Sequence, residues 1–149
     1  MVQWVLILIL LKNSMKLLED QVCSLEFSKK LEELGVKQNS IFWWRKYSMW
    51  KKPDLMYIPN KNNDILILSG KLEYSISAFT VAELGEMLPN WASSYRLGKL
   101  ASKNCGKYCC EYHIISKKHT KDFEFISDTE ADCRAKMLIY LIENKLIKL

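Results

Sequence analysis

This chain has little of what most enzymes are built around. Its 149 residues include only five glycines, three prolines and two histidines. It has no Walker loop, no Gly-rich phosphate cradle and no G-x-S-x-G nucleophile turn. His113 and His119 are the whole histidine supply, and both fall in or beside one short stretch. Hydrolytic catalysis therefore has little to use. Low-complexity tracts and internal repeats are also missing. Apolar residues make up 49% and charged residues 26% of the chain, a globular balance at a length suited to one domain over 15–149. Lysine and arginine number 22 against 17 acidic residues, for a formal charge of +5. That excess favours weak, salt-sensitive attraction to polyanions without specifying one. Lysine, isoleucine and asparagine are plentiful while alanine, glycine and proline are scarce, a bias typical of AT-rich coding sequence.

No long hydrophobic run is present. The apolar run at 4–11 is far short of the roughly 20 residues a membrane span needs. It lacks the basic flank and small-residue cleavage site of a signal peptide. It reads as a buried strand, a membrane-surface anchor, or untranslated sequence ahead of a start at Met15. The last reading is preferred, because "MKLLEDQ" resembles an ordinary cytosolic start, so 1–14 is treated as an apolar extension. Five cysteines cannot all pair within one chain. In a chain of intracellular character they read as free thiols, and no redox or other cofactor is expected.

The elements that remain are punctuated by caps. In "SLEFSKKLEELGV" Ser24 stands at a helix N-cap, and Leu25, Phe27, Ser28, Leu31 and Leu34 share one side. Gly35 and Val36 form a Schellman stop. Strands are expected near 41–47 and 55–58, with "ILILSG" as the hairpin partner of "DLMYI". "FTVAELGEMLP" carries a capping box of Thr80 and Glu83, with Leu84, Met87 and Leu88 on the buried side. Residues 90–107 read as a loop anchored by Trp91. "YCCEYHII" alternates, placing Cys110, Tyr112 and Ile114 on one face and Cys109, Glu111 and His113 on the other. "FEFIS" returns, with Phe123 and Phe125 sharing a face. A second box, Ser127 with Glu130, is expected to open a long C-terminal core helix. Its main stripe is Ala131, Ala135, Leu138 and Ile142. Segregated helices and strands indicate an α+β fold, with helices on an antiparallel sheet of about five strands.

Two stretches carry candidate chemistry. "FWWRKYSMWKK" interleaves Trp43, Trp44 and Trp50 with Arg45, Lys46, Lys51 and Lys52. No acidic residue interrupts it, so it could stack bases and neutralise phosphates. The plainer reading is a sheet burying its aromatics while lysines face water. "CGKYCCEYH" places Cys105, Cys109 and His113 within reach of a zinc ion, with His119 or Glu111 as a fourth ligand. Against this, a continuous strand spaces them widely unless it bulges, and no second ligand pair follows. Cys109–Cys110 is a vicinal pair rather than C-x-x-C. The plainer reading puts Cys110 in the core and Cys109 outside.

"LEFSKKLEELGVKQNSIFWWR", "FTVAELGEMLP", "CEY" and "DTEADCRAKMLIYLIEN" together resemble a group of small phage and prophage proteins of unknown function. A looser similarity is to the phage ABA-sandwich domain. The resemblance covers 24–147, and Cys133 departs from it where a small residue is expected. It implies a non-enzymatic accessory protein of the host bacterial cytosol that binds a phage or host protein. Nucleic-acid binding is the alternative, and self-association is open.

Overall fold

The computed structural model describes residues 14–58, 71–89, 95–99, 107–115 and 120–148, with 95–99, 112–115 and 120–122 as backbone alone. The apolar run at 4–11 and the "ILIL" strand lie outside the described residues, as do Trp91 and Cys105.

A helical turn at 14–19 leads into Val22, which bridges Thr80. Helix α1 follows at Leu25–Glu33. Ser24 is its N-cap residue, but no side-chain capping bond forms. Its backbone N–H instead donates to Asp132 Oδ1 at 2.7 Å, so a carboxylate from a distant element covers this helix start. The C-terminal stop is as expected. Gly35 has φ 85, its N–H donates to the Glu32 carbonyl, and the Val36 N–H donates to the Leu31 carbonyl. Leu31 and Val36 both enter the core, completing the Schellman motif.

Strands β1 (Phe42–Tyr47), β2 (Asp54–Tyr57) and β3 (Leu72–Ser77) form a first antiparallel sheet in the order β2-β1-β3. Strand β3 escapes a pattern search because "LEYSIS" mixes serine and glutamate into its alternation, while its burial rises along its length. Helix α2 (Val81–Met87) opens with the expected capping box. The Thr80 side chain accepts from the Glu83 N–H, and Glu83 accepts from the Thr80 N–H at 2.7 Å. Leu84 and Leu88 are buried.

Strands β4 (Tyr95–Lys99), β5 (Tyr108–Ile115) and β6 (Thr120–Ser127) form a second antiparallel sheet with β5 in the centre. Among the described residues, the expected single sheet of about five strands is two sheets of three, and part of the expected loop is strand β4. Local alternation cannot show how strands distribute among sheets, because that depends on which edges the helices cover.

Helix α3 (Glu130–Glu143) begins two residues later than the expected box. Thr129 is the cap, accepting from the Asp132 N–H, while Glu130 is ion-paired to Arg134 one turn on. Ala131, Cys133, Ala135, Met137, Leu138, Ile139 and Leu141 are buried, so this is the core helix. Its contacts organise the fold. It packs on β5 and β6, and also on α1 and α2, while α1 rests on β3. Cys133, the unexpected residue of that helix, is fully buried, and its thiol donates to the carbonyls of Phe125 at 3.0 Å and Tyr108 at 3.3 Å. The small side chain lets the helix sit close to the sheet and ties the two together.

Candidate functional site

The aromatic and basic stretch lies on β1 and the turn after it. Alternation along β1 buries Trp43, Arg45 and Tyr47 on one face, at 4%, 7% and 5% exposure. Arg45 donates from Nε to Ser75 Oγ at 3.0 Å and from Nη1 to the Tyr47 hydroxyl at 3.4 Å. On the other face, half-buried Trp44 donates from its indole to the Cys23 carbonyl at 2.9 Å. Trp50 packs edge-on against Tyr47 with ring centroids 4.7 Å apart. Lys46 is ion-paired to Glu73, leaving Lys51 and Lys52 as the exposed cations of the stretch. None of the three tryptophans is exposed, so they serve packing, and their ring faces form no open stacking platform.

The cysteine stretch is assembled differently from its sequence order. Cys105 and His119 lie outside the described residues, and His113 is placed by backbone only, on β5. Cys109 and Cys110 are both buried, so the expectation that Cys109 lies outside is corrected. Its face of the sheet is nevertheless the one carrying charge. The Cys109 Sγ donates to Glu124 Oε1 at 3.2 Å, and Glu111 stands directly opposite Glu124 across the β5–β6 pair. One ligand atom each from Cys109, Glu111 and Glu124 lie within 4.8 Å of one another. Sequence spacing missed Glu124, which is 15 residues from Cys109. The signal available was the alternation of "FEF", which opposes Glu124 to its phenylalanines.

Burial first, then the Glu124 and Glu111 carboxylates, push the Cys109 thiol up to about 12. The thiol therefore stays protonated at neutral pH and is a poor nucleophile. Burial likewise pushes Cys23 up to about 12, opposed by its bond with Ser28. The Cys133 thiol is raised further still, chiefly by its hydrogen bond with Cys110 and then by burial. Cys23 and Cys133 are thus structural thiols of the core.

A groove that no sequence motif announced lies between α1, α3 and β6. Its volume is about 580 Å³. Phe27, Phe125, Ile139 and Tyr140 give it apolar walls, and three lysines and three glutamates rim it. Tyr140 packs between Phe123 and Phe125 at 4.8 and 5.4 Å between centroids, which fixes that wall. The Lys30–Glu143 ion pair, 3.0 Å long, spans from α1 to α3. Lys136 donates to the Ile126 carbonyl and lies over the Phe27 ring.

Compared with known proteins, the chain matches no family model, no curated protein and no solved structure. Among the described residues, no helix is long and apolar enough to cross a membrane.

Proposed function

We propose that this chain is a non-enzymatic binding module that takes a short segment of a partner protein into the groove between α1 and α3. The groove itself carries the reading: about 580 Å³ of open space with an aromatic and aliphatic lining. That lining suits one or two inserted apolar side chains, as in groove recognition of an amphipathic segment. The rim, with three lysines against three glutamates, fits flanking residues of both signs. A polyanion gains no net attraction from such a rim. The resemblance to phage and prophage accessory proteins supports a phage or host protein of the bacterial cytosol as the partner.

The test is selection of peptides from a random library on the intact protein, followed by titration calorimetry. Enriched peptides should carry an aromatic or aliphatic residue flanked by mixed charges. They should bind Phe27→Asp at least roughly tenfold more weakly, a change of about 1.4 kcal/mol. Circular dichroism confirms the fold of the variant. Equal binding to Phe27→Asp moves recognition elsewhere. Tight, salt-dependent binding of single-stranded oligonucleotide, with a slope reduced by Lys51→Ala and Lys52→Ala, would replace this reading with the nucleic-acid one.

A further inference from the structure

The outer face of the second sheet holds a set of donors that the groove does not use. It lies on the opposite side of β6 from Phe125, since Glu124 and Phe125 are neighbours on a strand. Cys109 supplies a sulfur, and Glu111 and Glu124 each supply an oxygen, with all three atoms within 4.8 Å. The Sγ to Oε1 separation of 3.2 Å is short enough for both atoms to ligate one ion. Glu124 is exposed and Glu111 half-buried, so the cluster opens to solvent on one side. The register adds to it. Gly98, without a side chain, is opposite Cys109, and Arg96 is opposite Glu111.

Two features separate this from an ordinary acidic surface. First, Glu111 and Glu124 are directly opposed across an antiparallel pair, where like charges are destabilising. A cation between them is attracted by both carboxylates at once. Second, one donor is a thiol held beside both carboxylates. Sulfur with carboxylate selects a borderline cation such as zinc over calcium or magnesium, which take oxygen alone.

We propose that Cys109, Glu111 and Glu124 form a zinc-binding site on the β5–β6 hairpin. It shares Cys109 with the Cys105, Cys109 and His113 grouping read from sequence spacing, and takes in Glu111, a candidate fourth ligand of that grouping. On binding, a zinc–sulfur bond forms and the thiol proton leaves to solvent. The site is separate from the groove, so its failure leaves the peptide-binding reading untouched.

The experiment is titration of the intact chain with cobalt(II), a spectroscopic stand-in for zinc, alongside native mass spectrometry with zinc alone. One ion per chain is expected, with a near-ultraviolet thiolate-to-cobalt charge-transfer band. Cys109→Ser should abolish the band. Glu124→Gln should weaken affinity by more than about tenfold, the loss seen even for outer-shell partners. Because Glu124 is exposed, that variant keeps the question answerable if Cys109→Ser does not fold. No band at saturating cobalt, a band that persists in Cys109→Ser, or unchanged affinity in Glu124→Gln would each overturn the site.

Discussion

The two sheets have the same plan and opposite characters. Among the described residues each has three antiparallel strands, with the middle one paired on both sides. In the first sheet, the middle strand β1 buries an aromatic–arginine–aromatic row on one face and leans half-buried Trp44 toward the start of α1 on the other. In the second sheet, β5 gives Cys110 to the core and presents Cys109 and Glu111 on the reverse, beside exposed Glu124. The difference teaches that a residue's surroundings outweigh its type. The segment with the stronger functional composition, three tryptophans among four cations, packs its tryptophans inward. The segment with the fewer charged residues assembles a compact donor set.

The largest expected effect tests that contrast directly. Trp43→Ala should cost about 3–5 kcal/mol in a denaturant titration, the range for truncating a buried aromatic. A loss below about 1 kcal/mol would mean that Trp43 packs little and would restore it as a candidate binding surface.

The next concerns the helix on which the second sheet rests. Thr129→Ala should cost about 1 kcal/mol by loss of the N-cap, whereas Ser127→Ala should be close to neutral. The reverse order would return the helix start to the earlier box.

The smallest effect lies at the joint between the halves, where Asp132 of α3 accepts from Ser24 at the head of α1. Burial raises the Asp132 carboxyl above the ordinary range, and its bonds with Ser24 only partly oppose this. The folded state therefore holds this proton more tightly than the unfolded chain. Its contribution to stability is greatest in acid, below the ordinary aspartate range, and is lost as pH rises through the raised folded value. Asp132→Asn keeps an acceptor for Ser24 without the charge. The stability of wild type relative to this variant should fall between strongly acidic and neutral pH. A difference that stays flat, or rises, would show that the Ser24 bonds outweigh burial.

Legibility from sequence followed the range of each interaction. The Schellman stop at Gly35 and the Thr80–Glu83 box were readable because each closes within a few residues. The core role of α3 was readable from its nearly continuous apolar run. The start of that helix was misplaced because both Ser127 and Thr129 are capable caps, and the packing of Asp132 onto Ser24 favours the second. Strand β3 was obscured by its serines. At the candidate sites, Cys109 was visible but Glu124 was not, and the groove was not visible at all. Phe27, Phe125 and Tyr140 each read as an ordinary core residue of its own element.

By itself, then, the sequence determined the Gly35 stop, the Thr80–Glu83 capping box, the alternation of β5 and the presence of helices and antiparallel strands in an α+β chain. All of these arise from hydrogen bonds and side-chain directions set between near neighbours. Only the tertiary structure decided that the strands divide into two sheets, that the tryptophans of β1 turn inward, and that Glu124 meets Cys109. It also brought α1 and α3 together to leave a groove. Those outcomes depend on partners as far apart as Ser24 and Asp132, 108 residues along the chain, whose encounter is set by the packing of whole elements.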